Sequence, residues 1–142
     1  NIVLPPAPAP AANYVPYVKS NKLIFVSGQI PMLNGELVTG KIGKNIEIED
    51  AKTAARLCGL AIVSQLNEAT DLDLDKIKRI VKLGGFVNCI DEFTQQPEVI
   101  NGASDLMIEV FGEKGKHSRF AVGTNSLPRN VVVEIEAVAE IH

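Results

Sequence analysis

The chain has no tryptophan, and among its 142 residues are only two histidines, two cysteines and two methionines. Each scarcity excludes something. With aromatics at 5%, there are few platforms on which successive bases of a single strand could stack. Acidic side chains outnumber basic ones, 17 to 14, for a formal charge of −3, so no basic field advertises a nucleic-acid partner. Cys58 and Cys89 form neither a disulfide framework nor a zinc pattern. Each reads as a small buried apolar residue in a reducing, cytoplasmic setting. His117 and His142 stand far apart, and no metal-ligand spacing exists. A phosphate-binding Gly-x-x-x-x-Gly-Lys loop and a dinucleotide fingerprint are missing, as is the Gly-x-Ser-x-Gly nucleophile elbow. No run of ~18 apolar residues occurs, so no membrane span is expected. The opening "NIVLPPAPAPAANY" lacks a basic region and is broken by prolines, which makes it a poor signal peptide.

What is present suits one domain over residues 1–142 with a proline-rich arm at about 1–13. Residues 4–12 should be extended or polyproline-like, as a surface arm. Tyr17–Lys19 and Leu23–Ser27 predict strands around a Ser-Asn-Lys turn. The unbroken apolar run "LIFVS" suggests a strand covered on both faces. From Ile48 to Asn67, Ala51, Ala55, Cys58, Ile62 and Leu66 recur at helical spacing, widened by Ala54, Leu57 and Ala61. So many alanines let a helix lie close to a sheet. A strand is predicted from Ile77 to Ile90, and a second helix after Pro97, stopped by Gly112. The chain closes with what reads as a hairpin, two strands around Leu-Pro-Arg-Asn at 127–130. The order ββαβαββ predicts an α+β domain with two helices on one face of a mixed sheet.

In the last strand Val131, Val133, Ile135, Ala137, Ala139 and Ile141 share one face by alternation, and are expected to meet the helices. The opposite face carries Val132, Glu134, Glu136, Val138 and Glu140. A merely solvated face has no need of two valines. A face half apolar and half acidic suits a subunit interface containing a pocket.

Arg119 and Glu134 are the candidate chemical residues. A guanidinium cannot lose its charge and matches a carboxylate in two parallel bonds. A glutamate can take a proton from water, and partial burial raises its pKa toward useful values. Together they could hold an acid by its carboxylate and deliver water to it. The same two residues equally describe an ordinary surface or interface ion pair. In a tight hairpin they would be offset by roughly 13 Å along the strands, so a shared ligand would require Arg119 of one subunit and Glu134 of another. His117 either lines the same cleft or sits at the edge of a turn.

"PYV" at 16–18 with "VSGQIP" at 26–31, and "SRFAVGTNSLPRNVVVEIEAVA" at 118–139, resemble the two signatures of the RidA/YjgF family, in order and spacing. The resemblance implies a chorismate-mutase-like subunit assembled as a homotrimer with clefts between subunits. It implies cofactor-independent hydrolysis of reactive 2-imino acids and their enamine tautomers, such as 2-aminoacrylate and 2-iminobutanoate, to 2-keto acids and ammonia. By position, Arg119 matches the carboxylate-binding arginine and Glu134 the water-positioning glutamate. Tyr17, Ser27, Gly28 and Asn101 match cleft-lining residues. Ala121 stands where many members carry a cysteine, so only its backbone could contribute there. The approach "GEKGKHSR" resembles a longer branch described as endoribonucleases. The alternatives to a deaminase are therefore a non-catalytic small-acid binding module, or an endoribonuclease or translation inhibitor.

Overall fold

The computed structural model describes all 142 residues. Strand β1 (Tyr17–Ser20) and β2 (Leu23–Gln29) are followed by two short strands, β3 (Met32–Leu33) and β4 (Glu36–Leu37). Then come helix α1 (Ile48–Ala69), β5 (Ile77–Asn88), α2 (Gln96–Phe111), β6 (Ser118–Thr124) and β7 (Val133–Ile141). The main sheet has the order β1-β2-β7-β5-β6, with β3 and β4 forming a separate two-stranded ribbon. Asn34 and Gly35 turn that ribbon with left-handed backbones, φ 53° and 81°, as an Asn-Gly hairpin requires. No helix is long and apolar enough to cross a membrane.

The last two strands are not a hairpin. β6 pairs in parallel with β5, and β7 lies between β2 and β5, antiparallel to both. The reason is the helix between β5 and β6. A parallel pair needs a crossover of a dozen residues or more, and α2 supplies it, which carries β6 to the sheet edge. The chain from Asn125 to Val132 then passes the end of β5 and enters the vacant central slot as β7. A strand with a fully apolar inner face belongs there, hydrogen-bonded on both sides.

The inner face of β7 is as its alternation predicts. Val131, Val133, Ile135, Ala137 and Ala139 are buried, joined by Ile24 and Val26 of β2 and Ile80, Leu83 and Val87 of β5. Above them pack Ala51, Ala54, Ala55, Cys58, Ile62 and Leu66 of α1 and Val99, Ile100, Ala103 and Met107 of α2. The helices approach each other through glycine. A Cβ on Gly102 would stand 2.0 Å from the Lys52 carbonyl oxygen, and one on Gly59 2.9 Å from a Leu106 methyl. Both cysteines are free and buried.

Two expectations change on the outer face. Val132 is wholly buried, because it precedes the strand and its N–H donates to the Val38 carbonyl at 3.2 Å. The run "LIFVS" is covered on one side only: Phe25 is 45% exposed, beside Val18 at 52%. These two are neighbours in register with Val138 and Lys82. Phe86, Phe120 and Val122 continue the open apolar face, with the Phe86 and Phe120 rings edge to face at 5.3 Å.

The arm has no regular structure, but it is docked. Ser64 Oγ of α1 donates to the Pro5 carbonyl at 2.8 Å and Gln65 Nε2 to the Pro8 carbonyl at 2.7 Å. Both side chains are buried, and Leu4 packs against the core.

Gly102→Ala should cost about 1–3 kcal/mol, because the clash is with backbone that no rotamer change relieves. Thermal unfolding would read this as a clear fall in Tm relative to the wild type, whereas an unchanged Tm would mean that the helix contact is looser than described.

Candidate active site

Glu134 sits on the open face of central strand β7, where alternation sends it away from the helices. It lines a cavity of about 190 Å³. One wall is the arm, Pro8–Ala11 with Tyr14; another is Gly28–Ile30 with Met32; the third is the Pro128–Arg129 turn. β2 has an irregular register between Val26 and Gln29, which brings Gly28 against the carboxylate. A Cβ there would lie 2.2 Å from Glu134 Oε2. The contact is with the tip of a flexible side chain, so a Cβ at Gly28 would displace the carboxylate rather than the backbone. Burial raises the Glu134 pKa above the ordinary carboxylate value, and the neighbouring Glu136 charge adds to it. A carboxylate shifted this way is a better proton acceptor near neutral pH than an exposed one.

Arg119 is held on the other side of the sheet. It pairs with Leu83, a core residue, so it faces the helices from edge strand β6. Its Nη1 donates to Asn101 Oδ1 at 2.9 Å and to Ser104 Oγ at 3.0 Å, and its Nη2 to the Pro97 carbonyl at 3.2 Å. A guanidinium has five N–H donors; donors on Nε and Nη2 remain for a carboxylate. Asn101 and Ser104 are three apart on α2, which puts them on one helix face. His117 extends the chain. Its Nδ1 lies 2.6 Å from the Gly115 carbonyl, which can only accept, so Nδ1 carries the hydrogen of the neutral ring. Nε2 is then the acceptor for the Ser104 hydroxyl at 2.9 Å, and that hydroxyl oxygen faces Arg119. His117 therefore belongs to the arginine's support.

Within one chain Arg119 and Glu134 do not meet. Glu134 is level with Phe86 on β5 and Arg119 with Leu83. They are two strands and three residues apart, about 14 Å between Cα atoms, and point to opposite faces. The other anticipated residues divide likewise. Gly28 lies with Glu134, while Asn101 lies with Arg119. Ser27 uses its hydroxyl to hold the Val15 carbonyl at 2.7 Å, and its N–H bonds the Pro16 carbonyl. Tyr17 is opposite Val26, in a shallow cleft with Pro6–Ala9, Gln65 and Glu68, away from Glu134. Ala121 is half-buried opposite Gly85. Ser104, Tyr14 and Arg129 are the contributors that sequence reasoning missed. Only Ser104 had a signal, its helical spacing from Asn101. No group of three or more histidine, cysteine or carboxylate side chains is placed to hold a metal ion.

Residues 1–141 match the family described as "YjgF/chorismate mutase-like, putative endoribonuclease". The chain belongs to this family. It is 48% identical to Protein TCP17 of Trypanosoma cruzi, over 99% of this chain and 89% of that protein. It is 28% identical to the 2-iminobutanoate/2-iminopropanoate deaminase of Dermatophagoides farinae, over 99% and 94%. Among solved structures, a protein of unknown function from Agrobacterium tumefaciens is 50% identical with a TM-score of 0.90, over 94% of this chain and 86% of that one. A Shewanella oneidensis protein described as a putative endoribonuclease is 34% identical with a TM-score of 0.94, over 99% and 93%. E. coli TdcF with bound serine is 25% identical with a TM-score of 0.67, over 96% and 94%.

Two variants test this geometry. The folded state holds the Glu134 proton more tightly than the unfolded chain does. The associated stability is complete below the ordinary carboxylate value of about 4.5 and is lost as pH rises through the raised folded value. Glu134→Gln should therefore raise Tm at neutral pH, with the advantage shrinking toward pH 4; a melting series across that range would show it. Gly28→Ala should keep the fold but push the Glu134 carboxylate aside, seen as a displaced glutamate in a crystal structure of the variant.

Proposed function

We propose that the protein is a cofactor-independent imine/enamine deaminase working at the interface of a homotrimer. It converts 2-imino acids and their enamine tautomers to 2-keto acids and ammonia. The observation that carries this reading is the division of labour between the faces. A half-buried carboxylate of raised pKa stands in a cavity on one, and a guanidinium with free donors is clamped on the other. One chain holds both halves but cannot join them; an adjacent copy, docked on the open apolar face, would.

In this reading Arg119 of one subunit binds the substrate carboxylate, pre-set by Asn101, Ser104 and His117. Glu134 of the neighbour takes a proton from water as its oxygen adds to C2 of the imine. Glu134 returns that proton to the carbinolamine nitrogen, the C–N bond breaks with its electron pair leaving on ammonia, and the freed carboxylate takes the hydroxyl proton as C=O forms and passes it to the departing ammonia or to solvent. Gly28 and Ser27 shape the cleft, with Tyr17 and the Ala121 backbone at its margins. Imines hydrolyse in water already, so orientation and proton transfer are a sufficient contribution. The relative named a 2-iminobutanoate/2-iminopropanoate deaminase supports the reaction class, and TdcF with bound serine supports a small carboxylate-bearing ligand. The family description favours a second reading, ribonucleolytic; the net negative charge stands against it.

A threonine or serine dehydratase generating the imine in situ, with semicarbazide competing for it, tests the proposal. Keto-acid release should accelerate with the wild type. Arg119→Ala should lose activity by about tenfold or more, the worth of a charge-assisted hydrogen bond, while staying oligomeric by light scattering. No acceleration by the wild type, together with binding of 2-ketobutyrate, would make the cleft a small-acid binding module. RNA cleavage that disappears with Glu134→Gln would establish the ribonuclease.

A further inference from the structure

The Glu134 cavity has a second charged wall that the deamination chemistry does not use. Arg129 lines it from the turn between β6 and β7. Its guanidinium takes part in none of the molecule's ion pairs. No ion pair joins it to Glu134.

The turn that presents Arg129 is rigid and costly. Arg129 and Asn130 both have left-handed backbones, φ 56° and 60°, a conformation that costs a residue with a Cβ about 1–2 kcal/mol. The surroundings enforce it. The Asn130 N–H bonds the Leu127 carbonyl at 3.0 Å, and its own carbonyl accepts from Gly40 N–H at 2.9 Å. Buried Asn88 donates from Nδ2 to the Val131 carbonyl at 3.2 Å. Glycine would suit position 129 better on backbone grounds, yet the position carries the longest cationic fork available.

The opposite wall is equally fixed and has no charge. Pro8, Pro10 and Ala11 line the cavity from the anchored arm, and Met32 lines it beside Gly28–Ile30. A ligand in this cavity is surrounded by Glu134, by the apolar residues of the arm and by Arg129.

We propose that Arg129 is a subsite for an anionic side chain, so that the preferred ligands are dicarboxylic 2-imino and 2-keto acids of four or five carbons. Their C1 carboxylate goes to Arg119 of the adjacent copy, their C2 to Glu134, and their distal carboxylate to Arg129. This inference rests on the reading of the Glu134 cleft as the place where a 2-imino acid binds. At about 190 Å³, the cavity holds a small acid of this size and little more.

Binding can be measured without turnover. Calorimetric titration of the full-length oligomer with 2-oxoglutarate and with 2-ketobutyrate gives the preference ratio. The wild type should favour the dicarboxylate. In Arg129→Ala and Arg129→Gly the ratio should fall by about tenfold or more, and Arg129→Lys should recover part of it. Arg129→Gly also relieves the left-handed backbone, so an undiminished Tm in that variant separates lost recognition from misfolding. Equal binding of both acids by the wild type, or a ratio unmoved by all three variants, would overturn the subsite while leaving the deaminase reading intact. Binding of neither acid would overturn both.

Discussion

Strand β7 has neighbours on both sides, and its side chains therefore have only two directions to take. That constraint organises the molecule. Val133, Ile135, Ala137 and Ala139 go inward and form the floor on which both helices pack. Glu134 and Glu136, between them, go outward with no freedom to turn away. A glutamate on a surface loop would relax into solvent. Here the strand holds Glu134 against Gly28 and under the arm, where its charge is poorly solvated. The chemical property of the residue is thus a by-product of the register that builds the core.

Arg119 obeys the same rule with the opposite outcome. It alternates inward, but at an edge strand the helix layer above it ends. The guanidinium emerges beside α2 and finds Asn101, Ser104 and the Pro97 carbonyl. The two halves of the proposed chemistry therefore belong to opposite faces of one sheet. Copies that bring an edge against an open face would complete the site, and isolated chains would not. The exposed Val18, Phe25, Phe86 and Val122 are what such an assembly would bury.

What was legible in the sequence was what alternation and helical spacing encode. The inner face of β7, the alanine-rich stripe of α1 and the glycine stop of α2 all stand where the pattern put them. Partner choice between strands was not legible, because a strand's own pattern says which way side chains point and nothing of its neighbour. The Leu-Pro-Arg-Asn turn thus suggested a hairpin, although α2 had already committed β6 to a parallel pairing with β5. Phe25 shows a related limit: a continuous apolar run reads as covered on both sides, and within one chain only one side has a cover. At the site, Arg119 and Glu134 stood out as charges in apolar strands. Arg129 did not, because left-handed backbone at a non-glycine residue is imposed by its surroundings, and Tyr14 did not, because its place depends on where the arm runs.

The arm owes its fixed path to its composition. Four prolines between Pro5 and Pro10 lock φ and keep even the free segment close to an extended, polyproline-like course. Little conformational entropy is then left to lose on docking. Two hydrogen bonds from α1 and one leucine contact can hold it, where a glycine-serine arm of equal length would stay largely loose. The roof over Glu134 is in this sense stiffened before it is attached, and each cavity in an assembly would present ligands with a wall of the same shape.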